Sequence, residues 1–513
     1  MPPSGTEVSV QFRMSVLNNV RTKQGRKQTP NRITTQLVVA STFFLFAHIT
    51  FASVQDHIWC SYDSGSFQII SDLKPERAVQ LHSFLERFKL AAQLALGLQD
   101  IKLPEQVKII AFRSQRDFQT LTQTRKYVGF MQPSLGQSTL VLGASKPSTL
   151  RNQVAAHEYV HYLMRKTSKA FRPMWYEEGM AGYLSTLRVS RRGMILGEVP
   201  NNLFKKVLPR KIDIKQLLSE NSQAGWGQKK TGRFYREAWL LVHYLKHGPH
   251  SPEQLSNFIQ QLSDGVESQI AFLNAFNTSF KSMQKSLQVY AQRPRPAYTT
   301  LAFTPPSAIS TSAPHCLSPY EVRHTLGSAL QSHNPNWATE MFLLQLAQHP
   351  EDLPALTHLS EIYASQGNTV KATLIAEDAL AKYPDQASSQ IQSANMLVSS
   401  CLSNRSVECF EKLKRAQTLY RKALRANSDR IDGVFGMGMT QLFLGRPGEA
   451  LKYFQVAYLK APWAPILNFY LGETYREVGD QRNARLYLSR ANYWAVQPGI
   501  QRLSIQAYSL LEK

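Results

Sequence analysis

The chain has 513 residues, 43% of them hydrophobic, and a formal net charge of +23. This length predicts two or three domains, and the apolar content is ample for their cores. The positive charge is diffuse and no recognition motif accompanies it, so nucleic acid is excluded as a predicted partner.

The N-terminal segment predicts export. The stretch at 1–32 carries one acid, Glu7, and six bases, a charge of +5 (six minus one): Arg13, Arg21, Lys23, Arg26, Lys27 and Arg32. The apolar run at 37–47 has the length of a signal-peptide core, and Ala52 offers a cleavage site. The alternative is an uncleaved anchor over 33–54. Both place the remainder outside the cytoplasm, either periplasmic or anchored to the inner membrane, with membrane association through residues 1–52.

The next segment predicts strands and helices in alternation. Apolar, β-branched runs predict strands at 67–71, 107–112 and 139–143. Between the first two, residues 75–98 have the pattern of an amphipathic helix that begins near a proline. Residues 190–292 are predicted to be mostly helical.

The sequence His-Glu-Tyr-Val-His at 157–161 predicts a zinc site. On a helix over 151–166, His157 and His161 lie one turn apart on the same face, so both imidazoles can reach one cation. Zinc with an open position lowers the pKa of its bound water to about 7. Glu158 can take the proton from that water and later deliver it to a leaving amine.

A second predicted helix, over 174–187, carries the candidates for the third ligand. Glu177 and Glu178 are adjacent there, and two adjacent carboxylates cannot both point at one metal from a helix. The stretch Trp175-Tyr176-Glu177-Glu178-Gly179-Met180-Ala181 resembles the second ligand helix of gluzincin metallopeptidases, most closely the peptidase MA-like proteins. The resemblance implies Glu178 as the ligand, with Glu177 as the competing candidate. Small residues at 179, 181 and 182 are expected to let the two helices approach.

The resemblance also implies an α+β zincin-like metallopeptidase fold with Zn2+ as cofactor and a peptide or protein as substrate. In related gluzincins a tyrosine downstream of the ligands donates a hydrogen bond to the developing oxyanion, and Tyr235 is the matching position. The alternative is that Tyr235 is only a half-buried aromatic at a helix start. By the same resemblance, the strand at 139–143 is the edge on which an extended peptide lies.

The C-terminal third of the chain is built from repeats with the period of tetratricopeptide (TPR) hairpins, about 34 residues. Gly438, Gly445 and Ala450 recur as Gly472, Gly479 and Ala484. One repeat, with Cys401 and Cys409 in its first half, has about ten extra residues. These units predict an all-α TPR superhelix whose groove can receive a protein partner.

The predicted organisation has four parts. Residues 1–52 are a signal peptide or anchor, 60–292 the peptidase domain, 293–318 a Pro-rich linker and 319–513 the TPR domain. Four cysteines fit an exported protein. Cys401 and Cys409 can close a loop, and Cys60 and Cys316 can join the ends of the peptidase domain, but spacing alone determines neither pairing.

Two functions follow from these patterns. The first is an exported zinc peptidase, with Glu158 and Tyr235 as catalytic residues and His157, His161 and Glu178 as ligands. The alternative is a non-catalytic TPR scaffold whose metal site is vestigial or structural. A structural zinc normally fills its fourth position with Cys or His, and neither is nearby in sequence.

Overall fold

The structure is a computed structural model. It describes residues 54, 57–101, 106–125, 127–132, 135, 138–145, 148–167, 172–190, 193–199, 212–220, 226–264, 266–293, 297–306, 313–401, 406–494 and 498–511. The predicted signal peptide or anchor at 1–52 lies outside these residues. None of the described helices is both long and apolar enough to span a membrane.

A six-stranded mixed sheet forms the first layer of the N-terminal part. Its strands are β1 (Cys60–Asp63), β2 (Phe67–Ser71), β3 (Val107–Ala111), β4 (Gly129–Gln132), β5 (Thr139–Leu142) and β9 (His315–Cys316). Their order is β4-β5-β3-β2-β1-β9. Strands β2, β3 and β5 are parallel, and β4 pairs antiparallel with β5. The three strands predicted from the sequence are confirmed as β2, β3 and β5.

Helices cover the sheet and continue beyond it. They are α1 (Pro75–Ala95), α2 (Gln115–Thr122), α3 (Ser148–Thr167), α4 (Met174–Leu184), α5 (Ile214–Ser219), α6 (Gln228–His247), α7 (Pro252–Ser263), α8 (Ser268–Phe276) and α9 (Phe280–Ala291). A second sheet has the order β6 (Arg188–Ser190), β7 (Gly193–Leu196), β8 (Thr299–Leu301). The predicted helices at 75–98, 151–166 and 174–187 are confirmed as α1, α3 and α4.

Helix α3 packs on the sheet through one face. Ala156, Tyr159, Val160 and Leu163 on this face are all buried. The Tyr159 ring lies 5.2 Å from the ring of Phe67 on β2. Apolar residues at helical spacing therefore fix the rotation of α3.

The Pro-rich segment at 293–318 is not merely a linker. Its residues 299–301 form β8, which pairs with β7, and residues 315–316 form β9, which pairs with β1. Both are edge strands, where the prolines around them cost no ladder hydrogen bond. Cys316 on β9 is disulfide-bonded to Cys60, which lies directly opposite it on β1.

The C-terminal part consists of helical hairpins of the TPR type. The helices are α10 (Pro319–Leu330), α11 (Pro335–Gln348), α12 (Leu353–Ser365), α13 (Thr369–Lys382), α14 (Ala387–Ser399), α15 (Val407–Ala426), α16 (Ile431–Phe443), α17 (Pro447–Lys460), α18 (Pro465–Glu477), α19 (Gln481–Trp494) and α20 (Pro498–Ser509). The first helices of successive repeats are α10, α12, α14, α16 and α18, and their starts are evenly spaced except for a longer interval between α14 and α16. The extra residues fall where the sequence placed them, and Cys401 and Cys409 are disulfide-bonded there.

The small residues of the repeats are packing positions. The predicted alanines of the second helices are all fully buried: Ala372, Ala379, Ala416, Ala423, Ala450, Ala457, Ala484 and Ala491. A Cβ atom on Gly472 would come 2.7 Å from Leu488 Cγ. The repeat pattern therefore encodes contact between the helices of each hairpin.

The described helices and strands fall into two compact units whose boundary differs from the predicted one. One unit contains Pro319–Arg446, and the other contains Ile58–Ser318 together with Pro447–Lys513. In the second unit, Lys166 Nζ at the end of α3 lies 3.1 Å from the centre of the Trp463 ring. Cation–π attraction of this kind links the last repeats to the helix that carries both histidines.

Candidate metal centre

Helices α3 and α4 bring three side chains to one point. His157 Nε2 lies 3.2 Å from His161 Nε2, the spacing expected for residues one turn apart on a helix. Glu178 Oε2, from α4, lies 3.2 Å from His157 Nε2 and 3.3 Å from His161 Nε2. Among the described residues, these three form the group of His, Cys, Asp or Glu side chains able to hold a metal ion.

The triangle of ligand atoms fits a zinc ion. Zinc binds imidazole nitrogen at about 2.0–2.1 Å in tetrahedral geometry, so neighbouring ligand atoms stand about 3.3 Å apart. The three observed separations of 3.2, 3.2 and 3.3 Å match this edge length. Two imidazoles and one carboxylate are also a donor set that leaves one tetrahedral position open.

The two adjacent glutamates of α4 point to different partners. Glu178 faces the two histidines, whereas Glu177 Oε2 accepts a hydrogen bond from Arg165 Nε at 3.1 Å. Successive helical residues are rotated by about 100°, which separates the two carboxylates. The geometry thus favours Glu178 as the third ligand, and it pairs Glu177 with Arg165, a contact that was not predicted from the sequence.

The three side chains of the cluster influence one another's protonation. Burial raises the pKa of the Glu178 carboxyl, but the charge of His161 and the hydrogen bonds from both histidines outweigh it and hold that pKa well below its usual range. Burial lowers the pKa of His157, but the hydrogen bond and charge of Glu178 outweigh it and raise the pKa. Glu178 is therefore an anion at neutral pH, as a ligand must be.

Glu158 lies beside the three candidate ligands but is not one of them. Its Oε2 accepts a hydrogen bond of 3.1 Å from the backbone amide of Met131 on β4. Strand β4 was not predicted from the sequence, because Gly-Phe-Met-Gln is too short and too mixed in polarity to stand out as a strand. The resemblance also implied that the strand at 139–143 is the edge, and this expectation is wrong, since β5 lies between β3 and β4.

Tyr235 lies near the cluster on α6. Its ring centre is 6.1 Å from that of His157, and the residue is partly buried. The structure therefore brings Tyr235 to the same side of α3 as the ligands.

The glycines of α4 serve contact with α6 rather than with α3. A Cβ atom on Gly179 would come 2.5 Å from the Ala238 carbonyl oxygen, and one on Gly182 would come 3.3 Å from Trp239 Cδ1. The expectation that these small residues let α3 and α4 approach is corrected accordingly. Close packing against α6 fixes the position of α4 and therefore of Glu178.

Gly179→Ala is expected to lower the free energy of unfolding by about 1–3 kcal/mol, because its Cβ overlaps the α6 backbone. Denaturant titration measures this loss. Gly448→Ala on α17 is the matched control, since its Cβ enters open space, and it is expected to be neutral or slightly stabilising. Equal stabilities of the two variants would contradict the prediction.

His243 is a packing residue. It is fully buried, its Nε2 lies 2.9 Å from the Gly197 carbonyl oxygen, and its Nδ1 lies 2.9 Å from the Tyr290 hydroxyl. Burial, together with the charge of His247, lowers the pKa of His243 to about 4. It is therefore neutral at physiological pH, and its two contacts connect α6 to the residue that follows β7 and to α9.

Comparison with known proteins found similar chains among solved structures. No family model matches the chain, and no curated protein matches it. Solved structures similar to it include a TPR protein of Thermus thermophilus, TTC0263, at 19% identity, covering 38% of this chain and all of that one, with a TM-score of 0.34. YrrB, a TPR protein with an unusual peptide-binding site, is 19% identical over 37% of this chain and 91% of its own, with a TM-score of 0.25. PilW, a type IV pilus biogenesis factor, is 18% identical over 38% of this chain and 91% of its own, with a TM-score of 0.29.

Proposed function

We propose that the chain is an exported zinc-dependent peptidase whose TPR repeats bind a protein substrate or partner. The observation that carries this proposal is the triangle of His157, His161 and Glu178 atoms, whose edges match a tetrahedral zinc site. Glu158 beside that triangle adds the base that hydrolysis requires. The proposal assigns a zincin-like fold to the N-terminal α+β part.

His157, His161 and Glu178 would hold the zinc ion. When bound, zinc supplies Lewis acidity, which makes hydroxide available from water near neutral pH. Glu158 accepts the proton of the attacking water and delivers it to the leaving amine. The Tyr235 hydroxyl donates a hydrogen bond to the oxyanion that develops on the scissile carbonyl. The side chains proposed for these roles lie on α3, α4 and α6.

A peptide is the substrate class that the neighbouring sheet edge supports. The Met131 N–H donates to Glu158 and so points away from β5. The Val128 carbonyl oxygen points toward β5 and accepts a hydrogen bond from Gly143 N at 2.7 Å. Alternation along β4 then turns the backbone groups of Gly129 and Met131 outward. An extended peptide can pair with this edge and pass beside Glu158.

The repeats and the disulfides support the remaining parts of the proposal. TPR hairpins are a fold that presents a groove to a peptide or partner helix. Both cysteine pairs are disulfide-bonded, which agrees with a protein that works outside the cytoplasm.

Metal analysis combined with peptide cleavage tests the proposal. The purified full chain is expected to contain one zinc per chain and to cleave a quenched fluorescent peptide library. A chelator should abolish cleavage, and added zinc should restore it. His161→Ala should lose both zinc and cleavage, whereas His349→Ala, at an exposed histidine of the repeats, should keep both.

The alternative is a TPR scaffold that does not catalyse. It predicts partner binding by the full chain without cleavage of any library peptide, whether or not zinc is bound. Zinc-independent cleavage would overturn the metal site but not hydrolysis itself.

A further inference from the structure

Helix α3 carries an arginine, Arg165, in line with its two histidines. His157, His161 and Arg165 follow one another at intervals of four residues, so they share one face of the helix. Helix α4 crosses this face with its two neighbouring glutamates. Glu178 contacts the first two residues of the row, and Glu177 lies against the last two.

Glu177 is a buried carboxylate between a cation and an imidazole. It is fully buried, with its Oε2 3.1 Å from Arg165 Nε and 3.8 Å from His161 Nδ1. His161 Nδ1 is itself buried and has no hydrogen-bond partner among the described residues. Burying a carboxylate costs free energy unless charges or donors compensate it, so this placement calls for an explanation beyond packing.

The orientation of the His161 ring supplies an explanation for the burial of Glu177. Its Nε2 points to His157 and Glu178, and its Nδ1 points to Glu177. An imidazole that gives its Nε2 lone pair to a metal carries its proton on Nδ1. At 3.8 Å the Glu177 carboxylate does not accept a hydrogen bond from Nδ1, but its negative charge favours a proton on that nitrogen and so the tautomer that binds a metal through Nε2.

We propose that Glu177 is a positioning residue for the metal centre: anchored by Arg165, it holds His161 as the Nδ1-protonated tautomer with Nε2 free to bind zinc. This inference rests on the zinc site of the proposed function. It assigns the second glutamate of α4 a role outside the ligand set and explains why both adjacent carboxylates are buried.

Zinc affinity in a charge-neutral double variant tests the assignment. Glu177→Gln combined with Arg165→Met removes the carboxylate and the cation that it contacts together, so neither is left buried without the other. We expect this variant to melt near the wild-type temperature yet to bind zinc about 10–100-fold more weakly, as measured by competition with a chelating dye. The visible spectrum of bound Co2+ should also change, because the His161 ring is no longer held.

The surface ion pair of Arg188 and Glu198 provides the matched control. Arg188→Met with Glu198→Gln removes the same two charges from β6 and the loop after β7, and zinc affinity should stay at the wild-type level. Wild-type affinity and Co2+ spectrum in the Glu177/Arg165 double variant would overturn the positioning role. Absence of stoichiometric zinc from the wild-type chain would instead overturn the proposed function, and this inference with it.

Discussion

Glu158→Gln is expected to lower kcat/KM for peptide hydrolysis by about 10²–10⁴-fold and to leave one zinc bound per chain. Glu158 is outside the group of three ligand side chains, and its Oε2 instead accepts from the Met131 amide. The glutamine carbonyl oxygen can keep that hydrogen bond, so the local fold is retained. Only the ability to accept and pass on a proton is removed. Steady-state cleavage of the best library peptide and metal analysis of the same sample measure both quantities.

Glu253→Gln is the matched control, because Glu253 is an exposed glutamate of α7 in the same domain. It is expected to cleave as the wild type does. If Glu158→Gln cleaves at the wild-type rate with zinc bound, Glu158 is not the base. If neither the wild type nor the variant cleaves while both bind partners, the scaffold function stands.

The sequence predicts those relations in the candidate site that lie within a single helix. The four-residue spacing of His157 and His161 fixes their relation on α3, and the same spacing to Arg165 was available as a signal. The directions of Glu177 and Glu178 were not available, because they depend on how α4 is rotated against α3. That rotation is fixed by Gly179 packing on Ala238 of α6, a contact between segments far apart in the sequence.

The sheet was predictable only where its strands are apolar and several residues long. Strands β2, β3 and β5 lie in its interior and are rich in Val, Ile and Leu. Strands β4 and β9 lie at the edges of this sheet, and β8 lies at an edge of the second sheet. These three strands have two to four residues and include Gly, Thr or His, so their pattern is weak. Strand β4, whose Met131 amide donates to Glu158, is therefore one that its sequence pattern does not predict.

Removing the Cys60–Cys316 disulfide is expected to cost about 5 kcal/mol of stability, near the upper end for one such bond, because it closes a loop with a sequence separation of 256. The loss comes mainly from the unfolded chain, which gains conformational freedom when the cross-link is absent. In the folded state, the two-residue β9 also loses its covalent tie to β1. Denaturant unfolding of the Cys60→Ser/Cys316→Ser variant measures the loss.

The second disulfide provides the comparison within the same chain. Cys401 and Cys409 have a sequence separation of only 8, and the same chain-entropy relation gives about 2.5 kcal/mol for their double serine variant. The first variant should therefore unfold at clearly lower denaturant concentration than the second. Equal losses would mean that loop closure does not account for the stabilisation.

A wild-type chain that shows free thiols at all four cysteines after isolation from its compartment would argue against export, since cytoplasmic thiols stay reduced.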